Sequence, residues 1–344
     1  MKRKHFLSSL LAGPLVPAIP FRSRFGSAGF GWMAEAPFTI PPYLKPGDTI
    51  GITCPAGHMN TGELQPALNT LQSWGFRLRL GSTVGEKDFT FGGTDEERAD
   101  DLQQMLDDPS LRAILCARGG YGCIRIIDRL DFRKFAAAPK WIIGFSDITV
   151  IHAHLNHNYR IASIHSKMCN SFPDRLEDAE PAQINSILSI RTAITGNRVE
   201  YPLVSDPGNK TGTATGPLGG GNLKTIESLA GSASDLRTEG MILFVEDVGE
   251  YLYSIDRMFY GLKRTGKLEG LAGLLIGGFR VKADDPGDEF GRSIYNIVQD
   301  HTKAYHYPIC FNFPVGHQKV NYALKCGVKH QLIVGDHEVI FKEV

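Results

Sequence analysis

Three short apolar runs, at residues 49–54, 113–116 and 141–144, each end at a turn rich in glycine, proline or serine, and helical periodicity fills the gaps between them. Residues 62–74 place Leu64, Ala67, Leu68 and Leu71 at a 3.6-residue period and stop at Gly75. Residues 76–80 alternate as a strand does. Thr94 and Glu97 form a capping box that opens a helix reaching about Leu106. Further helices are expected over 124–130 and 147–156. Strands that alternate with helices pair in parallel, because each parallel pair needs a crossover connection. The fold class expected is therefore α/β, with an N-terminal, mainly parallel sheet flanked by helices.

The pattern weakens over 170–209, where Pro173, Pro181, Pro202 and Pro207 are interleaved with polar residues, and this stretch reads as a linker. Beyond it, 241–245 and 271–276 read as strands. Ile255, Met258, Phe259 and Leu262 form one helix stripe at i, i+3, i+4 and i+7. Residues 309–313 and 332–341, the latter turning at Gly335-Asp336, complete a smaller mixed α/β domain. The organisation expected is a signal-like leader at 1–36, an N-terminal domain at 41–169, a linker at 170–209 and a C-terminal domain at 210–344.

The leader is read from Lys2-Arg3-Lys4-His5 followed by a short apolar run, the pattern of a secretory signal. The expectation is export to the periplasm, with a cytoplasmic location as the alternative. No later stretch reaches the ~18 uninterrupted apolar residues of a membrane helix, so the mature chain is expected to have no integral membrane segment. Lys plus Arg and Asp plus Glu both number 37, a net charge of zero. That balance argues against nucleic acid, whose binders carry a basic surplus. The six cysteines include no CxxC pair, so a zinc site is not expected and mostly free thiols are.

Several constellations are able to carry chemistry. Ser146, in Gly144-Phe145-Ser146-Asp147, follows a strand and opens a helix, a turn that lifts a serine out of a sheet. Ser146 or Asp147 serving only as a helix N-cap is the alternative. Arg118-Gly119-Gly120-Tyr121-Gly122 also follows a strand, where glycine amides approach a ligand closely or simply form a tight turn. The glycines at 219–221 resemble a phosphate cradle but lack the Lys-Ser/Thr of a P-loop. Glu246 and Asp247 lie at a strand end, as an orienting carboxylate or a solvated acidic loop. His317 follows Pro314-Val315-Gly316, as a base or a structural histidine. His152, His154, His157 and His165 read as helix-surface residues rather than metal ligands. Ser146, Glu246 and His317 form an ordered serine–carboxylate–histidine set, each at a strand end, and a serine hydroxyl needs such a base and orienting group to become nucleophilic.

Six ordered motifs carry a resemblance that covers about residues 42–332: LKPGDTIGI at 44–52, RGGYG at 118–122, GFSDIT at 144–149, GGGNL at 219–223, LFVEDVGEYLYSIDRM at 243–258 and PVGH at 314–317. In these the chain resembles the LD-carboxypeptidases (muramoyltetrapeptide carboxypeptidases), which include the microcin-immunity peptidases. The resemblance implies a serine-type hydrolase with Ser146 as nucleophile, His317 as general base and Glu246 as its orienting carboxylate. It implies an oxyanion hole from the amides of Asp147 and of Gly119 or Gly120, with no metal or cofactor. It also implies an N-terminal parallel domain bearing the serine and a C-terminal mixed domain bearing Glu246 and His317.

Two departures accompany it: the leader, and His165-Ser166-Lys167-Met168 where many members carry His-Gly-Pro. That stretch is read as lining the substrate groove. Arg118 is assigned to the substrate's free carboxylate, with Tyr121 and His165 as further substrate-binding residues. The expected activity is release of terminal D-Ala from murein tetrapeptides, in cell-wall turnover or recycling. A murein peptide is the expected partner, and a homodimer is left open. A microcin-immunity-like amidase acting on peptidyl- or acyl-nucleotide conjugates is the alternative, which an aromatic ring stacked near the site would favour. A non-catalytic wall-peptide binding protein is the lesser one.

Overall fold

The computed structural model describes residues 37–344, and the leader read at 1–36 lies outside them. The first apolar run forms β1 (Thr49–Thr53), with Ile50 and Ile52 buried. Helix α1 (Thr61–Ser73) turns Leu64, Ala67 and Leu71 inward and leads to β2 (Arg77–Leu80). Helix α2 (Asp95–Asp107) opens on the capping box: Thr94 Oγ1 accepts the Glu97 amide at 3.2 Å, and the Glu97 carboxylate accepts the Thr94 amide at 2.8 Å. Strand β3 (Leu111–Cys116), short helices α3 (Cys123–Ile126) and α4 (Arg133–Ala137), β4 (Trp141–Gly144), α5 (Thr149–Tyr159) and β5 (Ser163–His165) continue the alternation.

The stretch read as a linker is folded. Helix α6 (Pro181–Ile194) starts with Pro181 in its first turn, where the missing N–H costs nothing, and buries Ile187, Ile190, Ala193 and Ile194. Strand β6 (Glu200–Val204) follows, and Pro202 is tolerated because β6 is an edge strand. The prolines flank or edge these elements rather than breaking them, so counting prolines misreads the segment.

Next come β7 (Gly212–Asn222), α7 (Leu223–Ser228), β8 (Ile242–Val248), α8 (Leu252–Arg264), β9 (Gly273–Arg280) and α9 (Ile294–Thr302). All four residues of the expected α8 stripe are buried. Then follow β10 (Ile309–Cys310), β11 (Leu324–Cys326), β12 (Lys329–Val334) and β13 (Glu338–Glu343). Strand β10 is shorter than the apolar run 309–313 because Asn312 takes a left-handed backbone (φ 53°) and turns the chain away.

Two sheets result. The first has the order β11-β5-β4-β3-β1-β2, parallel except for β11, which runs antiparallel to β5. The second has the order β10-β9-β8-β7-β12-β13-β6, parallel from β7 to β10 and antiparallel beyond. Both large apolar clusters draw side chains from both sheets. One joins Ile52, Leu115 and Ile143 to Leu218, Phe244 and Phe313; the other joins Ile142, Phe145 and Ile148 to Leu243, Val245 and Ile276.

The glycines at 219–221 are not a loop: they lie inside β7. At Gly221 (φ 144°) a Cβ would overlap the Thr149 side chain, and at Gly220 (φ 146°) it would overlap the Phe244 carbonyl. Their smallness lets α5 and β8 approach the strand, which leaves no cradle for a phosphate.

The reading of four surface histidines also fails for two of them. His152 is buried and donates from Nε2 to the Gly144 carbonyl at 2.9 Å. His165 is fully buried in β5, a strand paired with β4 on one side and β11 on the other. His154 and His157 are half-buried, on Ser234 Oγ and the Asp235 carbonyl.

Burial lowers the pKa of His152 to about 4, and that of His330, in β12, likewise to about 4. The unfolded chain binds protons near pH 6.5 that these imidazoles refuse, so their contribution to stability is present above that pH and lost as pH falls toward 4. His330 stacks on Phe341 at 4.7 Å. His330→Phe keeps the stack but removes the bond from Nδ1 to the Val328 carbonyl. This variant should melt lower at pH 7 yet lose less on acidification to pH 4.5 than the parent chain; an equal loss in both would refute the assignment.

Candidate active site

Strand β4 delivers Ser146 at its C-terminal end. Ser146 has φ 62°, one of four non-glycine residues with positive φ among those described. Such backbone costs about 1–3 kcal/mol and persists where the surroundings enforce it. The surroundings here are tight. Gly144 packs on Ile148, where a Cβ would lie 2.8 Å from Cγ1, and its carbonyl accepts both His152 Nε2 and the Ser166 amide (3.2 Å). A 3-10 turn over Ser146–Ile148 runs into α5. Neither Ser146 nor Asp147 caps α5; instead the buried Asp147 carboxylate accepts the Cys123 amide at 2.7 Å at the start of α3. Burial raises the Asp147 pKa, and the Cys123 bond opposes that shift.

The glycine-rich loop after β3 lies against this turn. A Cβ on Gly119 would sit 3.1 Å from Ser146 Cβ and 3.2 Å from Met168 Cε, so glycine lets the loop backbone approach the serine. The Gly119 carbonyl accepts the Gly57 amide at 2.9 Å, and Gly120 takes φ 107° over Gly57. The loop is thereby tied from behind.

Glu246 and His317 come from the second sheet. Glu246 is fully buried near the end of β8, and its Oε2 accepts Nδ1–H of His317 at 2.6 Å. Its Oε1 has no hydrogen-bond partner among the described residues. Gly316 (φ 100°) backs onto Glu246, where any Cβ would collide with the carboxylate arm, and the Gly316 amide donates to Asn321 Oδ1 at 2.9 Å. The β8–β9 register shifts between Val245 and Asp247, which leaves Gly277 and Gly278 to receive the 313–318 loop through the Gly278 amide on the Val315 carbonyl (2.8 Å). Asp247 points to the other face, as strand alternation requires. There it accepts Asn222 Nδ2, the Lys224 amide and the Val248 amide, and burial, aided by the Glu246 charge, raises its pKa to about 6.

Contacts between the sheets bring these groups to one place. The Phe145 and His317 rings lie 5.0 Å apart, the Asn222 amide donates to Thr149 Oγ1 at 3.0 Å, and Lys167 Nζ donates to the Gln318 carbonyl at 3.0 Å. His317 and Glu246 are joined directly. No hydrogen bond links Ser146 Oγ to His317 in this structure.

Arg118 is exposed beside Gly119, with one long bond of 3.4 Å to the His58 carbonyl. Tyr121 is 53% exposed, its ring 5.8 Å from Phe91. His165, expected to bind substrate, does not reach the surface: it is wedged between Phe145 (5.7 Å) and Phe244 (4.9 Å) with neither ring nitrogen bonded. Phe145 and Lys167 stand at the site instead, against the His317 ring and the Gln318 carbonyl. The only hint of the lysine was that 165–168 departs from the His-Gly-Pro pattern. All six cysteines are free and buried, and burial drives the Cys54 thiol, near the glycine loop, to about 12. Among the described residues no cluster of three or more His, Cys, Asp or Glu is arranged to hold a metal ion, and no helix is long and apolar enough to cross a membrane.

Residues 50–166 match the LD-carboxypeptidase N-terminal domain and residues 215–332 the LD-carboxypeptidase C-terminal domain. A probable murein peptide carboxypeptidase of Bacillus subtilis is 32% identical over 84% of this chain and 90% of its own length. A murein tetrapeptide carboxypeptidase of Pseudomonas aeruginosa is 30% identical over 81% of this chain and 91% of its own. The crystal structure of muramoyltetrapeptide carboxypeptidase from Oxalobacter formigenes superposes with a TM-score of 0.76 at 27% identity, covering 86% of this chain and 98% of that one.

Proposed function

Since the chain belongs to the LD-carboxypeptidase family, we propose that it is a serine-type carboxypeptidase that hydrolyses the L,D-peptide bond before the terminal D-Ala of murein tetrapeptides. The observation that supports the serine mechanism is the 2.6 Å bond from His317 Nδ1 to the buried Glu246, with the His317 ring 5.0 Å from that of Phe145, which precedes a serine on strained backbone. Glu246 holds the imidazole in the tautomer whose Nε2 is free to accept a proton, and its charge stabilises the imidazolium that forms. As His317 takes the Ser146 proton, Ser146 Oγ bonds to the carbonyl carbon, and the amides of Asp147 and of Gly119 or Gly120 receive the oxyanion. His317 then returns the proton to the departing D-Ala nitrogen as the C–N bond breaks. Water, deprotonated by the same imidazole, releases the shortened peptide from the acyl-serine.

The test is to incubate the purified protein with murein tri-, tetra- and pentapeptides and follow D-Ala by mass spectrometry. Tetrapeptide should yield tripeptide and one D-Ala. An intact tetrapeptide alongside cleaved peptidyl-nucleotide conjugates would instead establish the amidase.

A further inference from the structure

We propose that the Lys167 ammonium is the group that receives the terminal carboxylate of the residue being released, so that this lysine makes the site an exopeptidase. The inference rests on the carboxypeptidase reading above and names the side chain that enforces it.

Lys167 stands apart from the other enclosed lysines. Lys140 donates to the carbonyls of Met105 and Leu106 at 3.0 Å each and also to that of Asp108. Lys325 donates to Glu343 (2.8 Å), the Asn197 carbonyl (3.1 Å) and Tyr43 (3.4 Å). Lys267 pairs with Asp235 and the Leu236 carbonyl. An ammonium has three N–H donors, and Lys167 spends one of them, on the Gln318 carbonyl. Among the described residues no carboxylate forms an ion pair with it.

The position of Lys167 is imposed by its neighbours. Ser166 and Met168 on either side are buried, the Ser166 amide is tied to the Gly144 carbonyl at the end of β4, and the Asn170 amide reaches the Ala117 carbonyl after β3. The backbone that carries Lys167 is thus stapled between the serine turn and the glycine loop. Its head group lies 6.0 Å from the Phe145 ring, adjacent in sequence to Ser146, and bonds the residue after His317. A terminal carboxylate is separated from the scissile carbonyl by a single residue, so its receptor must lie close to the nucleophile and the base, as this ammonium does. Burial lowers the pKa of Lys167, while the negative charge of Glu246 raises it and so favours the ammonium. Arg118, by contrast, is exposed on the rim, where water screens its charge.

The experiment compares a murein tetrapeptide bearing a free terminal carboxylate with the same peptide ending in a carboxamide. The parent chain should prefer the free acid by about 10²-fold in kcat/KM, the scale of one charge-assisted contact in an enclosed site. Lys167→Met, similar in length and uncharged, should lose that preference: the acid falls by about 10²-fold and the amide changes by less than about 3-fold. Lys167→Arg should restore part of it. If the two substrates fall together in Lys167→Met, the lysine only supports the loop and the proposal is overturned. A preference that survives Lys167→Met but collapses in Arg118→Met would place the carboxylate on Arg118. A parent chain that cuts neither peptide would defeat the carboxypeptidase reading itself and this inference with it.

Discussion

Ser146→Ala and His317→Ala should each lower kcat by about 10³-fold or more, and the double variant should be hardly worse than either alone. In the proposed mechanism Oγ forms the acyl bond and the imidazole bonded to Glu246 is its base, so losing either removes the same step. What remains comes from the oxyanion donors and substrate binding, which neither substitution touches. Melting temperatures should stay close to the parent value, because neither side chain belongs to the apolar clusters. Steady-state kinetics of D-Ala release, read beside thermal unfolding, decide the matter. Near-full activity in Ser146→Ala would exclude the serine mechanism, and additive losses in the double variant would show that the two groups act in separate steps.

Glu246→Gln should cost about 10³-fold in kcat with a small change in melting temperature. The carboxamide fills the same volume against Gly316 and Gly277, whose backbones crowd Cβ and Cγ. If its oxygen faces His317, the imidazole keeps its tautomer but the forming imidazolium loses its counter-charge; if its nitrogen does, the proton moves to Nε2 and the base is blocked. Glu246→Ala should be as inactive and should also melt lower, by the cost of an unfilled space under the 313–318 loop. Equal activity in Glu246→Gln and the parent would mean that His317 is oriented by something else.

Much of the first sheet was legible because its signals are local. The Thr94/Glu97 box, the α1 stripe and the apolar runs at β1, β3 and β4 depend on neighbours within one or two turns. Ser146, Glu246 and His317 were conspicuous for a related reason, as polar residues set where apolar runs stop. The misreadings all involve distant partners. Helix α6 buries Ile187, Ile190 and Ile194 and lends Ser186 and Ser189 hydroxyls to the amides of Asn321 and Ala323, some 130 positions away. The glycines at 219–221 look like a ligand cradle until Thr149 and Phe244 are found in the space their side chains would fill. His165 resembled an accessible ligand, yet Phe145 and Phe244 enclose its ring, and β11, from the far end of the chain, pairs along the outer side of its strand.

That last pairing also sets a schedule for synthesis. As the chain leaves the ribosome, the serine turn, the glycine loop and β1 through β5 are complete long before residues 324–326 exist. Until then the outer side of β5 is an open strand edge, able to pair with any extended segment nearby. The protein therefore has to guard a vulnerable edge for more than 150 residues of translation, and the proposed pairing of Ser146 with His317 waits as long, since His317 and the strand that seals the edge emerge within ten residues of one another. On the proposed mechanism, a nascent or truncated chain that stops before His317 holds Ser146 without its base and should be inert.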